Sequence, residues 1–417
     1  MISVQKLTLP EDRLERLHYI KRIFSHAHGS DLAPQWAGGR RNGLNKLNSI
    51  DALAYARNRQ FINGAVTHLS PYLRHGCISL NETFASVKAR FDLHAEKLLT
   101  EFARRDYWRQ VWYAKGDAIY SEIEPPKVCI AYAPLTEAVL QAKTGLPCMD
   151  AFIQTLLNTG YLHHHARLWL ASYIVHHLKC DWRQAADWFE ARLLDGDIAS
   201  NHLSWQWVAS TYSSKPYFTN KDSIARFTGE KYCATCKAKC PFDGSAQHLV
   251  QHLFDKTLIP IARQYSVPAI AVKASSGHPA LAVFIHDEML SPTHDLLQQP
   301  FPKIFVFDPQ IHGHWSLNRL QFLADCINEM HGVEVWLGDT YEVLMQRGVG
   351  QVITQDTPNK KIKAILTPFS PTWQRVAHLV NIEVSEKRFK RFSRYWEKVG
   401  PTVLNGFKNS KSSLSKR

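Results

Sequence analysis

The feature that most constrains this chain is a change of hydrophobic period near residue 280. From Glu11 to about Val267 apolar residues recur at three- and four-residue spacing between Gly, Pro and Asn breaks, which reads as helix; the clearest stretches are about 150–178 and about 199–213. From about Ala280 the pattern becomes short β-rich runs: Leu281–Ile285, Ile304–Phe307, Val333–Leu337 and Gln351–Thr354. A helix over about Leu317–Met330 separates the second run from the third. Strands alternating with helices argue for a parallel sheet with crossover connections. The expected organisation is a helical domain over 1–272, a linker at 273–279 (Ser-Ser-Gly-His-Pro), an α/β domain over 280–400 and a basic, disordered tail over 401–417.

The helical half carries the chemistry. Asp195-Gly196-Asp197-Ile198-Ala199-Ser200-Asn201 runs into Trp205-Gln206-Trp207, and Thr159–Arg167 upstream contains His163, His164, His165 and Arg167. Carboxylates, an arginine, histidines and large aromatics on one cavity suit a large, planar, hydrogen-bonding cofactor. Either acid alone is equally well read as a cap for the helix beginning near Ala199. A second signal is Tyr232-Cys233-Ala234-Thr235-Cys236-Lys237-Ala238-Lys239-Cys240-Pro241-Phe242. That spacing suits a thiolate metal site, with zinc completed by His248 or His252 as one reading and reduced thiols as another. Cys77, Cys129, Cys180 and Cys326 stand among apolar neighbours as buried thiols.

These motifs resemble the photolyase/cryptochrome family of flavoproteins, closest to its iron–sulfur bacterial branch. Thr67–Gly76 is similar to the family loop that holds the FAD diphosphate, Glu101–Tyr107 to its Glu-x-x-Trp-Arg-Glu-Phe segment, and Asp195–Ala199 to its Asp-Gly-Asp-Leu-Ala segment. The resemblance implies FAD held by Tyr55, Thr67, Leu69, Ser70, Glu101, Arg105, His164, Arg167, Asp195, Asp197 and Asn201, with Arg167 and Asp195 as an ion pair and Asn201 at flavin N5. It implies a four-iron four-sulfur cluster on Cys148, Cys233, Cys236 and Cys240, although the gap before Cys240 is shorter than in that branch. In the family the α/β domain comes first, so the order here reads as a circular permutation. Its first loop, His286–Leu290, lacks the family's Arg-x-Asp-x-Arg pattern and leaves an antenna pigment open.

The activity implied is light-driven electron transfer, as a DNA photolyase on six-four photoproducts, with a non-repairing blue-light photoreceptor or redox flavoprotein as the alternative. His163 and His164 lie on the helix of Arg167, and His164 matches the proton-donating histidine of the six-four branch; the second family histidine falls at Leu168, so the full two-histidine arrangement is absent. Trp205 and Trp182 match the inner tryptophans of an electron-hopping chain, while the outer one falls at Val139, so the chain ends at Trp182 or turns through Tyr173, Trp188 or Trp169. Core packing is the competing reading for these rings, since the chain has 12 tryptophans. Arg104 stands where cyclobutane-dimer enzymes place a lesion-stacking tryptophan, and Trp207 alone of that pair remains.

Composition bounds the rest. The formal net charge of +13 fits a polyanionic partner, here damaged DNA, although the run from Lys387 carries much of the excess. Met1–Arg22 has no secretory signal pattern and no apolar run is long enough to span a bilayer, so the expectation is a cytoplasmic monomer away from membranes.

Overall fold

The computed structural model describes residues 3–254, 265, 269–380 and 390–405. Its sheet is built from Gln5–Leu7 (β1), Ala280–Ile285 (β2), Lys303–Phe307 (β3), Val333–Leu337 (β4), Val349–Gln355 (β5) and Thr372–Gln374 (β6). The strand order is β1-β4-β3-β2-β5-β6, parallel throughout except β1, which runs antiparallel to β4. Along the chain the sheet grows outward from β2, through β3 to β4 on one side and through β5 to β6 on the other. The β2/β5 junction is therefore the point where the winding reverses.

Strand alternation divides the sheet between two cores. Val283, Ile285, Phe305 and Phe307 point into the core shared with the helical half, where they meet Leu17, Ile20, Tyr72 and Phe84 in one cluster with Leu320 and Leu323. Ala282, Phe284, Ile304 and Val306 point the other way, against Val343, Leu344, Ile362 and Leu366. Burial on both faces is what a parallel sheet requires. The four strands expected from the β-rich runs are present, lengthened by one to three residues at the ends of three of them.

Two elements cross the expected boundary at 272. Strand β1 belongs to the sheet although it lies in the range assigned to the helical domain; three residues are too short to show a period. The helix Phe392–Asn405 packs on the helix Glu96–Lys115, with Tyr395 at 4.9 Å and Phe392 at 5.6 Å from Tyr107 between ring centroids. Residues 401–405 of the expected tail continue that helix, while 406–417 lie outside the described residues, as do Lys387 and Arg388. The stretch expected as one helix over 150–178 is divided. Pro147–Thr159 ends at Gly160, which takes the left-handed conformation (φ 67°). His164–Ser172 then starts on His163, whose ring nitrogen Nδ1 accepts the His165 amide. The helix expected to reach 213 is Ile198–Ala209, closed by Ser210 at φ 68°. Among the described residues no helix is long and apolar enough to cross a membrane.

Candidate flavin cavity and cysteine pocket

The helices Glu96–Lys115, His164–Ser172 and Ile198–Ala209, with the Thr67–Ser70 segment, enclose a cavity of about 270 Å³. All eleven residues expected to hold the flavin line it: Tyr55, Thr67, Leu69, Ser70, Glu101, Arg105, His164, Arg167, Asp195, Asp197 and Asn201. Trp205 lines it too. Helix geometry explains the convergence, because Ser200, Ser204 and Val208 recur at four-residue steps and bring Asn201 and Trp205 to the same face.

Two ion pairs stand on the cavity wall. Arg167 Nη2 donates to both oxygens of Asp195 at 3.0 Å, while its Nε is fixed by the Leu162 carbonyl at 2.7 Å. Arg105 Nη2 donates to Asp197 Oδ2 at 2.9 Å, and Asp197 Oδ1 accepts the Ser200 amide at 2.7 Å. Burial alone would raise the Asp197 carboxyl, but the Arg105 and Arg74 charges bring it down to about 2. The capping role weighed in the sequence is therefore real for Asp197 and coexists with its place on the cavity. Asn201, on the cavity wall, donates its amide nitrogen to the Ala186 carbonyl at 2.8 Å, and its side-chain oxygen is an acceptor not used by that bond. Positive φ at His68 (52°), followed by right-handed Leu69, turns the backbone of the Thr67–Ser70 segment sharply at the cavity edge.

His164 is exposed only in the sense that it faces the cavity, deep in the protein; burial, then the neighbouring His165 and Arg167, lowers it to about 3 and keeps it neutral. His163 does not line the cavity. It is buried as the cap of its helix, and burial lowers its pKa to about 4. Trp205 meets Phe189 edge-on at 5.6 Å, and Phe189 meets Trp188 at 5.8 Å. Trp182 is completely buried in the same apolar core, together with Val139. Arg104 pairs with Glu101 at 3.2 Å and lies over the Phe392 ring at 4.5 Å; Trp207 is exposed and stacks against Tyr217 at 5.1 Å. The apolar walls Leu98, Phe102 and Phe189 were not singled out in the sequence, although Leu98, Phe102 and Arg105 follow helical spacing. Asp287 and Glu288, in the loop after β2, are spent on Arg74 at 2.7 Å and Arg109 at 2.6 Å.

Cys148, Cys233, Cys236 and Cys240 line a second cavity of about 370 Å³ with Tyr232, Lys221 and Asp243. Cys148 sits in the first turn of Pro147–Thr159, and burial pushes its thiol up to about 12. Among the described residues no group of three or more His, Cys, Asp or Glu stands at metal-holding distances, so the thiols surround the space rather than converge on a point. Four thiols around one space fit a thiolate-bound cluster on donor chemistry. His248 and His252, the zinc alternatives, do not line this cavity; they stack parallel on the helix Ala246–Leu253 with centroids 6.4 Å apart.

Residues 98–257 match the family model described as the FAD binding domain of DNA photolyase. Deoxyribodipyrimidine photo-lyase of Streptomyces griseus is 35% identical over 148 residues, covering 35% of this chain and 32% of the relative. Cryptochrome-1 of Arabidopsis thaliana is 27% identical over 297 residues, covering 64% of this chain and 41% of the relative. The solved Synechocystis sp. PCC6803 cryptochrome is 26% identical with a TM-score of 0.42, covering 46% of this chain and 43% of that one. The chain spans about a third of the length of the first curated relative it matches. Over residues 98–257, which include Glu101, Arg105, His164, Arg167, Asp195, Asp197 and Asn201, the chain is therefore similar to the FAD binding domain of DNA photolyase.

Proposed function

We propose that the chain is a light-absorbing FAD flavoprotein of the photolyase/cryptochrome kind that repairs six-four photoproducts in DNA. The observation that carries this reading is the single cavity in which Arg167–Asp195, Arg105–Asp197, His164, Asn201 and Trp205 converge. Bound FAD would supply the light absorption and, when reduced and excited, the electron for the lesion. The protein's part is to hold and tune. Arg167 and Asp195 orient each other beside the ring, and the Asn201 oxygen offers an acceptor to a ring N–H. Trp205 stands on the wall as the electron donor that restores the reduced cofactor.

His164 is the proton donor in this reading. Burial above all holds it neutral in the ligand-free cavity, and an anionic ligand beside it would raise its pKa and let it carry the proton it donates. The four cysteines hold a four-iron cluster, and the helical-first order of the chain is a circular permutation of the family arrangement. The second reading, a photoreceptor without repair, is favoured by Arg104, which salt-bridges to Glu101 where a stacking aromatic would grip a flipped base.

The test is the absorption spectrum of protein purified without oxygen, with iron and sulfide assays, followed by blue-light repair of a defined six-four lesion. Flavin bands, about four irons per chain and recovery of intact pyrimidines support the full reading. Flavin and iron without recovery support the photoreceptor. His164→Ala is expected to keep the flavin and abolish repair; repair that survives the substitution would end the proton-donor assignment.

A further inference from the structure

Gly196, between the two cavity carboxylates, does not itself line the cavity, yet its carbonyl is gripped from behind by two guanidinium groups. Arg74 Nε donates to it at 2.9 Å and Arg319 Nη2 at 3.1 Å. Both are anchored toward the sheet. Arg74 Nη2 donates to Asp287 at 2.7 Å in the loop after β2. Arg319 rides on the helix Leu317–Asn328, whose side chains enter the core below the sheet. It is completely buried, with its guanidinium 3.4 Å from the Trp315 ring centroid. Its other nitrogen, Nη1, donates to the Glu190 carbonyl at 2.6 Å and to Glu190 Oε1 at 2.7 Å. The same packing explains the glycine: a Cβ on residue 196 would stand 2.4 Å from the Glu190 carbonyl oxygen and 2.6 Å from Arg319 Nη1.

We propose that Arg319 is a positioning residue of the flavin site, carried by the α/β half: by fixing the Gly196 carbonyl it sets how Asp195 and Asp197 meet Arg167 and Arg105. The inference rests on the flavin reading above. An ion pair with Glu190 alone would need only one arm of the fork; the second arm, on a backbone oxygen flanked by both carboxylates, is the one that reaches the site. It couples two segments 123 residues apart in sequence. The folding of the sheet is thereby linked to the geometry of a cavity it does not line.

Arg319→Lys separates these roles. Lysine keeps a cation for Glu190, but an ammonium lacks the planar fork that serves two acceptors at once. The measurements are FAD titration of the deflavinated chain, the visible band structure of the bound flavin, and thermal unfolding without flavin. The expected result is a lower unfolding temperature, as at any disturbed buried fork, together with an altered flavin band shape and an FAD dissociation constant raised about tenfold, as for losing one charge-assisted hydrogen bond. Gly196→Ala, which pushes Arg319 aside, is expected to act in the same direction. The control is Arg16→Lys, which disturbs the pair (2.9 Å) that Arg16, on the helix Arg13–Ile23, makes with Asp325 of the Arg319 helix; it does not touch Gly196 and is expected to leave FAD binding and band shape unchanged. Wild-type affinity and spectrum in Arg319→Lys would overturn the proposal, as would an equal loss in Arg16→Lys. A wild-type chain that takes up no FAD would instead bring down the flavin reading, and this inference with it.

Discussion

Replacing Asp197 by Asn removes one charge while keeping a residue that caps helices well. The structure gives the size of the effect. In the fold the Asp197 carboxyl drops from 3.8 to about 2, because the charges of Arg105 and Arg74 outweigh the cost of burial. A shift of that size is worth about 2 kcal/mol of stability. Its sign follows from a lowered folded value: the contribution is complete above the unfolded value of 3.8 and is lost as pH falls through about 2. Protonated Asp and Asn are nearly the same shape, so the two proteins should converge in acid. Urea unfolding of the flavin-free chain, followed by tryptophan fluorescence, is expected to show Asp197→Asn weaker by about 2 kcal/mol at neutral pH. The deficit should shrink toward zero as pH falls from 3.8 to about 2. A deficit that stays constant over that range would refute the electrostatic account and assign the loss to packing.

Four further substitutions have outcomes set by the geometry. Trp205→Phe is expected to slow light-driven flavin reduction at least tenfold, as measured by flash photolysis with an external reductant, since phenylalanine fills the wall but is a poor electron donor. Trp188→Phe should slow it less if Trp182 carries the charge, and comparably if the route runs past Phe189 to Trp188. Cys148→Ser should leave the helix Pro147–Thr159 folded by circular dichroism but strip iron and sulfide from the purified protein; full iron content would remove Cys148 from the ligand set. Gly160→Ala should cost about 1–3 kcal/mol in thermal unfolding, because the left-handed backbone at φ 67° strains any Cβ, which would also stand 2.9 Å from Leu194.

The readability of this fold in its sequence was uneven, for physical reasons. The β-rich runs stood out because a parallel sheet buried on both faces needs continuous apolar strands, and Leu281–Ile285 and Ile304–Phe307 supply them. Strands β1 and β6 span three residues each at sheet edges, where little burial is demanded, and left no pattern. The break at Gly160 was hidden because apolar residues continue on both sides of it: Leu156 from the first helix, Leu162 from the connection and Ala166 from the second helix join one core. Arg74 and Arg319 were illegible for a different reason. A charged residue in a helical pattern reads as a solvated face, and only tertiary contacts reveal that Arg319 is completely buried between Glu190 and Trp315.

The Asp195-Gly196-Asp197 segment illustrates why two readings of one motif need not compete. A carboxylate has two oxygens, and Asp197 gives one to the Ser200 amide of its own helix and the other to Arg105. The cap fixes where the acid stands, and that fixed place is what makes it useful to a ligand. Asp195 differs: both of its oxygens go to Arg167, whose Nε is held by Leu162 just before His163 begins its helix. The glycine between them is spent on neither task but on letting Arg319 approach the backbone. The three residues therefore tie the cavity to a helix start, to the His163–Arg167 turn and to the α/β half at once.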